Sequence, residues 1–305
     1  MARNYDNRIR VEILGADMVI EDAHIAVDCD KTDEKTPNYC EITIFNMSDD
    51  TYNRINSRAN SGRVYTDINN SGWVLLFEGN LRNLLKYKKT KANALTKTGK
   101  QRKIKKAEPH YNEPPIRREA SGADVATIIC LEDGKKNLFF DNYVNKSYSG
   151  SVTNRYVLDD ILSDVKRKSS NIKISANSNI LEEYTYQNGK VFSGTLQDVL
   201  SSICKTGNAI CTVQDDVIIV ATNNPDKKNV GYVYLLNGTN CPSPEANTDK
   251  ELDIDAPFIQ ALNPLNFIKL DFKDYQGLFQ VKRVHSKIDN FGDDFESKIT
   301  VKLDI

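Results

Sequence analysis

The sequence predicts a mainly β, α+β chain with strand-rich ends and a helix-bearing middle. Three observations carry this: period-two alternation of apolar residues near both ends, turn residues punctuating the alternating runs, and two one-sided helical stripes confined to the centre. With 305 residues, 39 % of them hydrophobic and 27 % charged, the chain can build two or three domains with real cores.

The alternation is clearest at residues 40–45. Cys40, Ile42 and Ile44 fall on one face of a strand, and Glu41, Thr43 and Phe45 on the other. Ile268, Leu270 and Phe272 alternate with Lys269, Asp271 and Lys273. Phe295, Ile299, Val301, Leu303 and Ile305 oppose Lys298, Thr300, Lys302 and Asp304, which predicts a strand reaching the last residue. Asn188-Gly189, between the runs 183–187 and 190–192, predicts a tight hairpin, because both positions tolerate positive φ. Asp133-Gly134 predicts another. Gln276-Gly277 and Phe291-Gly292 predict the turns of a final three-stranded meander.

Three helices are expected. Ser48 caps one that carries Asp49 and Asp50 in its first turn and stops before Gly62. A second covers 154–168, with the stripe Val157, Leu158, Ile161, Leu162 and Val165, and basic residues at its C-terminal end. Thr195 caps a third, with the stripe Leu196, Val199, Leu200, Ile203 and Cys204 and Gly207 placed as a C′ residue. The expected division is 1–125, 126–222 and 223–305.

No apolar run approaches the ~20 residues of a membrane helix, and no signal-peptide pattern opens the chain. Cytosolic folding is therefore expected, with no membrane insertion and with the six cysteines as thiols. None of them is spaced CxxC. Cys40, Cys204 and Cys211 fall in register with core neighbours. His24, His110 and His285 lie far apart, and HExxH, GxSxG and GxxxxGK[ST] are missing. His285 reads as a sheet-surface side chain, and the Asp159-Asp160, Asp215-Asp216 and Asp293-Asp294 pairs read as helix-start or turn residues. No catalytic residue, cofactor or metal is expected.

The compositional anomaly is 88–118, with eleven basic residues against Glu108 and Glu113. Its charge of +9 against a total of -1 leaves -10 for the rest of the chain. It reads as a long exposed insertion between strands. Lys97, Lys100, Arg102, Lys103, Lys105, Lys106, Arg117 and Arg118 are its candidate contact residues, for an acidic protein surface or for passing nucleic acid. Tyr111 alone supplies no stacking platform for single strands.

Three stretches carry a resemblance. Asn38-Tyr39-Cys40-Glu41-Ile42-Thr43-Ile44-Phe45-Asn46-Met47-Ser48 resembles the strand-to-helix passage near the start of many phage tail and baseplate proteins, with Met47 in place of Leu. The run 194–200, followed by Gly207 and the hairpin 209–222, is similar to their middle-domain helix and paired strands. Leu262-Asn263-Pro264, 268–272, Gly277-Leu278-Phe279-Gln280-Val281 and Val284-His285 resemble the C-terminal barrel of Mu-type hub and late-control D proteins. The resemblance implies two tube-like β-barrels flanking a middle α/β module. It further implies three copies in a homotrimeric ring that joins tail tube to spike, contacts the tape-measure protein and lets DNA pass its lumen. The chain would then be a virion baseplate component made in a bacterial cytoplasm, with no enzymatic role. A secretion-system or injection-machine spike base shares that fold, with any spike on a separate chain. The other classes are a tail-borne cell-wall hydrolase, which would turn over peptidoglycan, and a nucleic-acid binder acting through the basic insertion.

Overall fold

The computed structural model describes residues 7–34, 36–88, 125–134, 139, 141–168, 173–176, 178–223, 234–248, 250–292 and 294–303. The first strands are β1 (Asn7–Leu14), β2 (Met18–Ile20), β3 (Ile25–Thr32) and β4 (Tyr39–Phe45). Helix α1 (Asp49–Arg58) follows, then β5 (Ser61–Ile68), β6 (Val74–Lys88) and β7 (Val125–Glu132). Cys40, Ile42 and Ile44 are buried on β4, as the alternation requires. Ser48 caps α1 by accepting from the Thr51 N–H. The strands order β3-β4-β7-β6-β5-β1-β2. Although β3 and β1 stand far apart in that order, Ile25, Val27, Ile9 and Val11 share one core with Ile55 and Phe77. The sheet must therefore curl around that core.

The middle of the chain holds β8 (Tyr143–Tyr148), β9 (Val152–Thr153), α2 (Asn154–Lys168), β10 (Lys173–Ser175), β11 (Thr185–Tyr186), β12 (Lys190–Thr195), α3 (Leu196–Thr206), β13 (Ala209–Gln214) and β14 (Val217–Thr222). The predicted stripes of α2 and α3 form one core with Phe139, Phe192, Val213 and Ile218. Both helix positions agree with the sequence reading.

The expected hairpin at Asn188-Gly189 does not form. β12 pairs with β8 and β11 pairs with β9, both antiparallel and in one continuous register. Residues 143–153 and 185–195 thus make a single interrupted ribbon, and Asn188-Gly189 faces Gly150 at the interruption. Only Gly189 has positive φ, 76°, whereas a type I′ turn requires two such residues. For the expected Asp133-Gly134 hairpin, residues 135–138 lie outside the described residues; β7 itself pairs with β4 and β6.

Gly207 does not take the left-handed conformation expected of a C′ glycine; its φ is -102°. Glycine is needed for space, because a Cβ there would lie 2.8 Å from Leu181 Cβ and 2.9 Å from Asn154 Nδ2. Gly207→Ala should therefore cost about 1–3 kcal/mol by overpacking. Gly207→Asn should be no better tolerated. Urea denaturation of the two variants separates space from φ, since a left-handed cap would accept asparagine.

The last strands are β15 (Tyr234–Asn237), β16 (Glu245–Thr248), β17 (Glu251–Pro257), β18 (Phe267–Asp271), β19 (Gln276–Asp289) and β20 (Phe295–Lys302). The meander β18-β19-β20 forms as predicted, but Gly277 lies within β19, opposite Leu270, and the turn is 272–275. Strand pairing continues past β20, where Leu303 N donates to Lys250 O at 2.8 Å. Ile254, Leu270, Val281, Ile299 and Val301 form the third core.

Two separate closed barrels are not found among the described residues. β19 pairs with β18 through its first residues and with β3 through its last, while β20 runs along its other side. Its 14 residues and a bulge between Val281 and Arg283 let one strand serve three neighbours. The result is one open 13-stranded sheet in which both ends of the chain take part. Apart from Lys88 at the end of β6, the basic insertion and its eight candidate residues, with His110, lie outside the described residues.

Candidate functional site

The three cores meet along β3. On one side, residues 283–289 of β19 pair antiparallel with residues 26–32 of β3. Acidic side chains of β3 and the residue after it meet imidazole or basic side chains of β19 and β20. His285 Nε2 lies 2.7 Å from Asp28 Oδ1, Arg283 forks onto Asp30, and Lys302 reaches Asp33 at 2.6 Å. Lys282 bridges Glu34 at 2.9 Å and Glu251 at 2.6 Å. His24 makes the reverse crossing, with Nε2 2.9 Å from Asp289 Oδ1 and its ring 4.2 Å from that of Phe45. Asn290 closes the end: its Oδ1 accepts from Ile25 N and its Nδ2 donates to Ala23 O, both at 2.8 Å.

Exposed ion pairs contribute about 0.2–1 kcal/mol each. The ladder itself and the apolar groups beneath it therefore hold the seam. Phe258 and Ile288, from the C-terminal part, are buried in the N-terminal core. The charges select register and partner more than they add strength. His24 and His285 are both engaged in this seam, so the sheet-surface reading of His285 holds.

On the other side, the β13–β14 hairpin inserts its tip. Gln214 pairs with Val217, so Asp215-Asp216 is a two-residue loop, and both residues have positive φ, 51° and 60°. That is the type I′ geometry usually filled by Asn-Gly. The tip's carboxylates account for the aspartates. Asp215 Oδ2 accepts from Lys31 Nζ at 2.7 Å and its Oδ1 from Glu78 N at 3.1 Å, while Asp216 accepts from Gly134 N.

Lys31 is the convergence point. It is 2 % exposed, and its ammonium also donates to Asn263 Oδ1 at 2.8 Å and lies 5.7 Å from the Phe77 ring centre. A buried ammonium demands such partners. One side chain thus ties β3, the middle hairpin and the C-terminal 263 turn. Beside it, Asn38 Nδ2 donates to Gln214 Oε1 at 2.8 Å, and Gln214 Nε2 donates to Thr32 O at 2.9 Å.

Burial pushes the Asp216 carboxyl above its ordinary value, with the neighbouring Glu78 and Asp215 charges adding to it. Burial also pushes Glu78 up, but hydrogen bonds from Arg63 and Lys173 outweigh it and leave Glu78 below the usual range. The signs are opposite. Asp216 favours the folded state most when protonated, and that contribution fades as pH rises through its raised folded value. Glu78 stabilises above its unfolded value and loses this as pH falls. Asp216→Asn should match the parent or exceed it in stability at pH 7, with the difference shrinking as pH falls to about 4, near the ordinary aspartate value. A urea midpoint series across pH checks this; a loss that persists unchanged at pH 4 would point to lost packing instead.

A cavity of about 880 Å³ lies at this junction, lined by Glu78, Lys173, Gln214, Asp215, Asn263 and Phe267 among others. Among the described residues no group of three or more His, Cys, Asp or Glu side chains could hold a metal ion. No helix there is long and apolar enough to cross a membrane. The junction was missed by sequence reasoning: Asp215-Asp216 was legible as a turn, but nothing local signals that its carboxylates meet a lysine 184 residues away.

No family model matches the sequence, and no curated protein matches it. Solved structures do match the fold. One is a tail protein from Neisseria meningitidis MC58, at 9 % identity and a TM-score of 0.56, covering 98 % of this chain and 97 % of that one. Another is the 43 kDa tail protein of prophage MuSo2 from Shewanella oneidensis, at 8 % identity and a TM-score of 0.55, covering 97 % of this chain and 98 % of that one. Nearly every residue on both sides of these comparisons is aligned, so the chain shares one fold with these two tail proteins from end to end.

Proposed function

We propose that this chain is a structural component of a phage-type tail, a baseplate hub whose three copies close a ring between tail tube and central spike. The observation that carries the reading is the end-to-end likeness of this fold to two tail proteins at under 10 % identity. A seam and a junction that fix the cores against one another suit a part that transmits load. In this reading 1–125 and 223–305 are the ring-forming modules and 126–222 the module between them. Spike, tail-tube and tape-measure proteins are its partners, and DNA passes the lumen. The particle's tail is where the chain resides.

The basic residues Lys97, Lys100, Arg102, Lys103, Lys105, Lys106, Arg117 and Arg118 are assigned to contact with an acidic face of a neighbouring copy or partner. Neutralising Lys103, Lys105 and Lys106 should weaken assembly most at low salt, where screening is least.

The deciding experiment is solution mass by light scattering, alone and with tail-tube protein, followed by electron microscopy of the heaviest species. A three-copy ring with a central hole is the expected result. A chain that stays monomeric and ignores tail-tube protein would remove the hub assignment.

A further inference from the structure

We propose that two cysteine pairs, Cys29 with Cys40 and Cys204 with Cys211, are latent disulfides, reduced in the structure and ready to close in contact with an oxidising disulfide. The chemistry is independent of the tail reading.

Cys29 and Cys40 are Cα partners on β3 and β4. Phe45 N donates to His24 O at 3.0 Å, which makes His24 and Phe45 a hydrogen-bonded pair. Such pairs alternate with non-hydrogen-bonded ones. Five steps along the same unbroken register, Cys29 and Cys40 form a non-hydrogen-bonded pair, whose Cα atoms stand about 4.5 Å apart. That separation lies at the short end of the disulfide range, about 4.4–6.8 Å. The bond would form without moving the strands, but under strain that keeps it easily reduced.

Cys204 lies in the last turn of α3 and Cys211 on β13, and the chain reverses between them at Gly207 and Asn208. Helix α3 packs on β13, and both cysteines line the middle core. All four cysteines of the two pairs are buried. A lone core cysteine packs as a small apolar residue. Here four of the six cysteines are matched two by two, in two different cores.

Burial, followed by the adjacent Cys29 thiol, raises the Cys40 thiol; the neighbouring Cys204 thiol, followed by burial, raises that of Cys211. Both therefore stay neutral and unreactive until the surrounding structure opens. On opening, one thiolate attacks oxidised glutathione, forming a mixed disulfide and releasing one glutathione thiolate. The partner thiolate then displaces the second glutathione. The protein pair is oxidised by two electrons, the glutathione disulfide is reduced to two thiols, and the two cysteine protons pass to them.

The test incubates the full chain with oxidised glutathione, with and without sub-denaturing urea, followed by intact mass and non-reduced peptide mapping. The expected product has lost about 4 Da, the hydrogens of two thiol pairs. Its free thiols fall from six to two. Its map shows Cys29–Cys40 and Cys204–Cys211 links, forming faster in urea. Cys29→Ser should lose only the first link and leave glutathione bound at Cys40. Should that variant fail to fold, the parental map decides alone. Six remaining thiols in both conditions, or cross-links between other cysteines, would overturn the proposal.

Discussion

Lys31→Met should lower the unfolding free energy by about 3 kcal/mol, the lower part of the range for removing one member of a buried ion pair. Methionine fills much of the volume left by the lysine stem, so the loss is electrostatic. Asp215 would keep its hydrogen bond to Glu78 N but lose the ammonium, and Asn263 would lose a donor. The lower part of the range applies because the Asp215 side chain remains 14 % exposed and water can reach it. The measurement is urea denaturation of the single variant and of Lys31→Met/Asp215→Asn. The double variant should recover part of the loss, since its uncompensated carboxylate is gone. A single variant within 0.5 kcal/mol of the parent, the range of ordinary surface substitutions, would show that Lys31 does not hold the three cores together.

Phe77→Ala is expected to cost about 3–5 kcal/mol, the usual range for deleting a buried aromatic side chain. Phe77 is fully buried in the N-terminal core and is among its largest side chains. Its ring also faces Lys31, and its Cε1 lies 2.7 Å from where a Cβ on Gly79 would stand. The cavity left behind would border the junction. For that reason Phe77→Ala and Lys31→Met should not be additive, as expected of side chains sharing an environment. Thermal and urea unfolding should agree on the single-variant loss. A loss under 1 kcal/mol would mean that the surrounding sheet collapses into the space.

Comparison of the two structures that share this fold with the chain itself shows why sequence likeness alone is faint. At 8–9 % identity the fold is shared although few residues are identical. Alternating strands and helix stripes, such as those of this chain, are requirements for burying one face, and many residues satisfy them.

Local physics was legible in this sequence. Ser48 and Thr195 cap helices because their hydroxyls reach an orphan N–H, at Thr51 and Asp198. The stripe from Val157 to Val165 faces a core because its spacing leaves no other side to bury. Alternation placed Cys40, Ile42 and Ile44 inward for the same reason. Outside the final meander and the 209–222 hairpin, tertiary structure decided which strands pair. Asn188-Gly189 and Asp133-Gly134 carry turn chemistry, yet the strands beside Asn188-Gly189, and β7 before Asp133, pair elsewhere, because a ladder is chosen by competition among all edges. The same holds for the seam of β3 with β19, for the meeting of Lys31 with Asp215 and Asn263, and for the opposition of Cys29 to Cys40. Each joins groups distant along the chain or set by strand register. A sequence states what each residue needs, burial, a cap or a counter-charge, but only the folded chain determines which distant residue supplies it.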